Sequence, residues 1–230
     1  MEDFKKILGR LGLNVQDLSI YQKAFTHRSY LNEVKGTIES NERLEFLGDS
    51  VLSFIVSSFL FRLRTKDEEG DLTNLRAYVV KTESLAKIAE QLSLGKYLKL
   101  SRGEEKSGGR LNPQILADTF EAVLGAIFID LGIEAATTFV NLTLLDFFKK
   151  EIEHGAPRDP KSQLQEVVQS QFQVSPKYRI LETSGPDHAK RFTSGAFLKG
   201  SLIGKGDGSN KQQAEEEAAK EALVKLADMI

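Results

Sequence analysis

The chain has 230 residues, 28% of them charged and 40% hydrophobic, with a formal net charge of −2. That is the composition of one large or two smaller water-soluble domains, and it offers no global basic field to attract nucleic acid. The absence of cysteine excludes disulfides, thiolate metal sites and a cysteine nucleophile, and it fits a reducing cytosol.

Residues 1–35 predict two short helices, about Phe4–Leu8 and Leu18–Phe25, and then a loop holding His27-Arg28-Ser29. A lone histidine in such a loop more often hydrogen-bonds locally than catalyses, so His27 is read as structural. A long helix follows near Glu42–Arg62, with Ser40 or Asn41 able to cap it through a side-chain oxygen. Leu44, Leu47, Val51, Phe54 or Ile55, and Ser58 recur at steps of three and four and predict one buried stripe. Glu42, Glu45 and Asp49 share another face over two turns. Like charges at this spacing destabilise an isolated helix by roughly 0.2–0.5 kcal/mol per pair. The triplet is therefore either a solvated acidic face or a seat for a cation.

The run Val51–Leu63 is broken by serines and Arg62, too short and too polar for a bilayer span. The start, Met1 to Lys6, lacks the apolar stretch of a signal peptide. No membrane partner and a cytoplasmic location are expected. After a polar turn at 66–71 a single helix is predicted from Leu72 to Gln91, then a glycine-rich loop from Ser101 to Leu111. Asn112-Pro113 opens a helix over Gln114–Leu131, and Gly132 separates it from another over Glu134–Lys149. Nothing in this part alternates with period two, so an all-α helical bundle is expected.

The texture changes at His154-Gly155-Ala156-Pro157-Arg158. The expected division is a helical domain at 1–152, a linker at 153–158 and a second domain at 159–230. The second domain reads as a small α+β unit of α-β-β-β-α order. Its helix runs from Asp159-Pro160 to Phe172, its strands over Lys177–Glu182, Arg191–Leu198 and Ser201–Gly206, and an alanine-rich helix over Lys211–Ala227.

A second acidic pair, Asp118 and Glu121, lies one turn apart in a helix that is otherwise almost wholly apolar. Carboxylates buried in such a helix are costly unless paired or metal-bound. Capping or ion pairing is one reading. A four-carboxylate pocket shared with the first acidic helix is the other. Oxygen-only ligands favour Mg²⁺, with Mn²⁺ as substitute, over Zn²⁺. No organic cofactor is expected.

Asn41-Glu42-Arg43-Leu44-Glu45-Phe46-Leu47-Gly48-Asp49-Ser50 resembles the signature of the ribonuclease III family. So do Glu69 to Thr73, Lys106-Ser107-Gly108-Gly109-Arg110 and Ile115 to Ala122. The C-terminal unit resembles a double-stranded-RNA-binding domain. The resemblance covers nearly the whole chain. It implies a homodimeric endonuclease for double-stranded RNA that leaves 5′-phosphate and 3′-hydroxyl ends with short 3′ overhangs. Processing of ribosomal RNA precursors and of some mRNA and tRNA transcripts goes with it. Carried over by position, the metal ligands fall on Glu45, Asp49, Asp118 and Glu121, with Asp49 and Glu121 catalytic. Glu42 is left for substrate or dimer contact.

In the second domain Ser162, Gln165, Glu166 and Gln169 form one polar stripe suited to the 2′-hydroxyls and base edges of an RNA minor groove. Gly185-Pro186-Asp187-His188 resembles the loop that enters the next groove, with His188 at its tip. Lys211, at a helix start, suits phosphate. The family commonly has two consecutive basic residues there, and this chain has Lys211-Gln212.

Overall fold

The computed structural model describes residues 1–34, 36, 38–155, 159–186 and 190–227. Two compact units divide the chain, Met1–Ala156 and Pro157–Ile230. The first contains α1 (Glu2–Arg10), α2 (Leu18–Ala24), α3 (Glu42–Leu63), α4 (Glu69–Val80), α5 (Thr82–Gln91), α6 (Arg102–Lys106), α7 (Pro113–Val140) and α8 (Lys149–His154). The second contains α9 (Pro160–Phe172), strands β1 (Lys177–Ser184), β2 (Arg191–Leu198) and β3 (Ser201–Gly208), and α10 (Lys211–Ala227).

At the centre of the first unit α3 lies directly on α7. Apolar residues clothe most of α7, and Leu116, Phe120, Val123, Leu124 and Ile127 are buried. Of the alternatives at the middle of α3, Ile55 faces the core and Phe54 is exposed. The two helices touch backbone to backbone at two glycines. A Cβ at Gly48 would overlap the carbonyl oxygen of Glu121, and one at Gly125 would overlap the carbonyl oxygen of Leu44. By length and composition α3 and α7 would each pass as a membrane span, unlike the shorter run 51–63 considered alone. In this fold their apolar character belongs to a shared helix interface.

Several elements differ from their sequence expectation, each for a local reason. The helix expected over 72–91 breaks at Lys81, whose backbone is extended (ψ 156°). Val79 and Leu85 are both buried, yet six residues apart they would lie on different faces of one straight helix. The break turns both inward, and the Ser84 hydroxyl donates to the Tyr78 carbonyl at 2.8 Å to satisfy the end of α4. The loop expected over 101–111 contains α6, because the Ser101 hydroxyl accepts from the Glu104 amide at 3.2 Å and caps a short helix. Gly132 does interrupt α7, with φ 85°. Neither Ser40 nor Asn41 caps α3 through its side chain. Instead Asn41 is buried and its amide donates to the Thr26 carbonyl at 2.9 Å. α8 runs to His154, into the stretch expected as linker. The interior of that linker, residues 156–158, lies outside the described residues.

In the second unit the sheet is antiparallel, in the order β1-β2-β3. Gly204, Gly206 and Gly208 alternate along β3 and meet the backbone of α10 at Ala214, Ala218 and Ala222. Those alanines are fully buried, so the alanine-rich composition of α10 is what lets helix and strand approach at backbone distance.

These contacts make Gly48 the most sensitive backbone position in the first unit. Gly48→Ala is expected to destabilise it by about 1–3 kcal/mol through overpacking. The check is the urea midpoint compared with Gly9→Ala, where an added Cβ meets open space and little change is expected.

Candidate active site

The contact between α3 and α7 brings the acids together. Glu45 lies one turn before Gly48 on α3, and Glu121, whose carbonyl meets Gly48, lies one turn beyond Asp118 on α7. Glu45, Asp118 and Glu121 are half-buried, and each offers a carboxylate oxygen within 4.8 Å of the others. Asp49 is exposed at the rim of this cluster. Its charge is the largest charged influence on Glu121 and also reaches Glu45. The structure therefore gathers three of the four expected ligands tightly and leaves the fourth beside them.

The three carboxylates strain against one another. Burial first, then Asp49, Asp118 and Glu45, push the Glu121 carboxyl up to about 8. Burial and the neighbouring Asp118 and Glu42 raise Glu45, and burial raises Asp118. Three acids that resist ionising together are a poor structural motif and a good cation seat, because a divalent ion reverses each of these penalties. A donor set of carboxylate oxygens suits a hard ion such as Mg²⁺ or Mn²⁺.

The flanking segments explain why α7 begins where it does. The Asn112 side chain caps it by accepting from Gln114 and Ile115 amides. Arg110 locks the chain just before it, donating to the Gly95 carbonyl at 2.8 Å, the Leu98 carbonyl at 2.9 Å and Glu105 at 2.6 Å. The arginine of the 106–110 motif is thus a clasp that ties the approach to α7 to residues 95–105. Gln114, not singled out from the sequence, donates to Asp118 Oδ1 at 2.7 Å. Its i,i+4 spacing from Asp118 is the signal in the sequence that would have found it. His27 bonds locally through Nδ1 to the Ser29 hydroxyl at 2.8 Å. Its charge, with that of Arg28, nevertheless reaches Asp118. Glu42 is exposed, accepts from the Ser40 hydroxyl at 2.7 Å and faces Arg28 at 3.8 Å.

In the second unit Ser162, Gln165, Glu166 and Gln169 are all exposed on α9. Leu164 and Val168 hold the opposite face in the core. Asp159 caps this helix, accepting from both the amide and the hydroxyl of Ser162 at 3.0 and 2.9 Å. Lys211 is exposed at the start of α10, where Asn210 Oδ1 accepts from the Gln213 amide at 2.9 Å. Gln212 donates along the helix to Glu216 at 2.9 Å. His188 lies outside the described residues.

Comparison with known proteins follows the same division. The family described as Ribonuclease-III-like matches residues 17–147, and the double-stranded RNA binding motif matches residues 160–226. Ribonuclease 3 of Pelotomaculum thermopropionicum is 46% identical over 217 residues, covering 94% of this chain and 90% of that protein. Ribonuclease 3 of Bacillus licheniformis is 44% identical over 229 residues, covering 98% and 90%. The solved nuclease domain of ribonuclease III from Campylobacter jejuni is 40% identical with a TM-score of 0.58. It covers 63% of this chain and 98% of its own, and its structure was described for flexibility in a region involved in dimer formation.

The raised Glu121 carboxyl has a thermodynamic consequence. Between the unfolded value near 4.5 and the folded value of about 8, the folded chain holds a proton that the unfolded chain has released. Stability of the metal-free protein therefore falls as pH rises through this window. Thermal unfolding in EDTA from pH 5.5 to 8.5 is expected to show that loss, and Glu121→Gln is expected to flatten it. Parallel curves for the two proteins would contradict the assignment.

Proposed function

The chain belongs to the ribonuclease III family, and from that premise we propose that it is a metal-dependent endonuclease of double-stranded RNA. The observation that carries this reading is the cluster of Glu45, Asp118 and Glu121, half-buried acids from two helices within 4.8 Å and adjoined by Asp49. Glu45, Asp49, Asp118 and Glu121 are the residues that would hold Mg²⁺, or Mn²⁺ in its place. A divalent ion so held supplies a water of lowered pKa and neutralises the charge that grows on the phosphate and on the leaving 3′-oxygen. Asp49 and Glu121 are assigned as the catalytic pair. Asp49, exposed at the rim, is open to an arriving phosphate, and Glu121, the most reluctant of the acids to ionise, orients water from within.

The products in this reading carry 5′-phosphate and 3′-hydroxyl ends with short 3′ overhangs. The substrates are ribosomal RNA precursors and some mRNA and tRNA transcripts, in the cytoplasm. Staggered cutting of both strands needs two sites, and a homodimer supplies them. Supporting the dimer, Phe46, Phe54 and Phe61 are 78%, 62% and 73% exposed along α3, with Ile129 on α7 also exposed. Such a row of bare aromatics is rare on a monomer surface. In the second unit the exposed stripe on α9 and Lys211 at the start of α10 suit the minor groove and phosphates of A-form RNA. Gln212, already bonded to Glu216, adds no cation there, which favours weaker and less salt-sensitive binding.

Incubation of the purified chain with a long RNA duplex is expected to yield discrete double-strand cuts with Mg²⁺ and none with EDTA. Asp49→Asn and Glu121→Ala are each expected to slow cleavage on the order of 100-fold or more. Wild-type rates in either variant would overturn the assignment. Sedimentation is expected to show a dimer that Phe46→Asp dissociates. Removing residues 157–230 is expected to weaken duplex binding at ordinary salt while cleavage persists at low salt.

A further inference from the structure

We propose that Arg28 is a substrate-contact residue of the nuclease site, receiving a phosphate of the RNA backbone beside the acidic cluster, with Glu42 as the residue that positions it. The inference rests on the nuclease reading above and concerns a residue that the four-acid assignment leaves out.

An RNA phosphate approaching Glu45, Asp49, Asp118 and Glu121 meets a concentrated negative field, and a bound divalent ion offsets only part of it. A cation from the protein is needed at the edge. Arg28 and His27 are the basic side chains whose charge reaches Asp118, and Arg28 reaches Glu45 as well. His27 is tied to Ser29 through Nδ1 and is less exposed than Arg28. Arg28 is 73% exposed, so its fork of donors faces solvent and is open to a ligand.

The backbone under Arg28 is held unusually firmly for a surface turn. Thr26 forms an isolated bridge with Lys99, its buried carbonyl accepts from the Asn41 amide at 2.9 Å, and the His27 amide donates to the Lys99 carbonyl at 3.1 Å. The Ser29 hydroxyl, bonded to His27, accepts from the Ser101 amide at 3.0 Å. Asn41 is the residue immediately before α3, so the turn bearing Arg28 is fastened to the start of the helix that carries Glu45. Glu42, fixed by the Ser40 hydroxyl at 2.7 Å, faces the guanidinium at 3.8 Å. That distance is beyond hydrogen-bond reach. Glu42 therefore orients Arg28 electrostatically and leaves its donors available. A guanidinium matches the paired non-bridging oxygens of a phosphate, which an ammonium does not.

The test uses the full chain and an RNA duplex in EDTA, with affinity read by fluorescence anisotropy over a salt series, and Mn²⁺ affinity read separately by calorimetry. Arg28→Ala is expected to weaken duplex binding several-fold and to lower the salt slope by about one for each phosphate the guanidinium no longer neutralises. Mn²⁺ binding should be unchanged or tighter, since a cation has left the carboxylates. Arg28→Lys should keep the salt slope and lose part of the affinity. The effect of Glu42→Gln on duplex binding should vanish in the Arg28→Ala background, as a positioning residue requires. Wild-type affinity and slope in Arg28→Ala would overturn the proposal. So would a loss of duplex binding accompanied by weakened Mn²⁺ binding, which marks a distorted site. If the wild-type chain itself neither binds Mn²⁺ nor cuts duplex RNA with Mg²⁺, the nuclease reading fails and this inference with it.

Discussion

The close approach of α3 and α7 is the constraint on which the first unit depends. Two glycines, Gly48 and Gly125, let the helices touch through their backbones. Helices kept apart by ordinary side chains sit about 8–10 Å axis to axis, and the two glycines remove the side chains that would hold this pair at that spacing. Glu45 is one turn from Gly48, and the Glu121 carbonyl is what Gly48 meets. The same contact that seals the core thus sets the spacing of the acidic cluster. Packing and chemistry are here one requirement.

That arrangement has an electrostatic cost, and the surrounding residues show how it is contained. Burial and mutual repulsion push Glu121 to about 8 and raise Glu45 and Asp118. Gln114 donates to Asp118, and the charges of His27 and Arg28 lean the other way. These partners sit outside the cluster and do not fill it. A site already filled by protein cations would offer little attraction to a metal ion. The turn at 26–29, the Arg110 clasp and the Asn112 cap are the supports that hold the acids in place without entering among them.

The second unit solves a different problem with a related device. Alternate glycines of β3 admit the backbone of α10, whose alanine face is buried. The helix–sheet core can then be thin, and Leu164 and Val168 suffice to seat α9 on it. The opposite face of α9 stays fully in solvent, where a polar stripe can meet a groove. The unit buries small residues and keeps its long polar side chains on the surface.

How much of this was legible beforehand follows from which interactions are local. Helix periodicity, the Asn112-Pro113 and Asp159-Pro160 starts, the Gly132 interruption and the α-β-β-β-α order all depend on neighbours within a turn or two, and all could be read from the residues. So could the two acidic pairs, because i,i+3 and i,i+4 spacing places them on helix faces. Other features depended on distant partners. The break at Lys81 follows from where the core lies relative to Val79 and Leu85. The exposure of Phe54 in place of Ile55 follows from which side of α3 meets α7. Asn41 does not cap α3 through its side chain, and its backbone amide instead ties the helix start to Thr26, a residue fifteen positions earlier. Arg110 and Arg28 took their places only once segments apart in sequence had been brought together, whereas Gln114 meets Asp118 one turn along the same helix. The sequence by itself determined most of the helices, the α-β-β-β-α order, the family resemblance and the acids. Only the tertiary structure decided that Glu45, Asp118 and Glu121 converge while Asp49 stands at the rim, because that depends on the rotation of two helices about a glycine contact, which no spacing along either helix encodes.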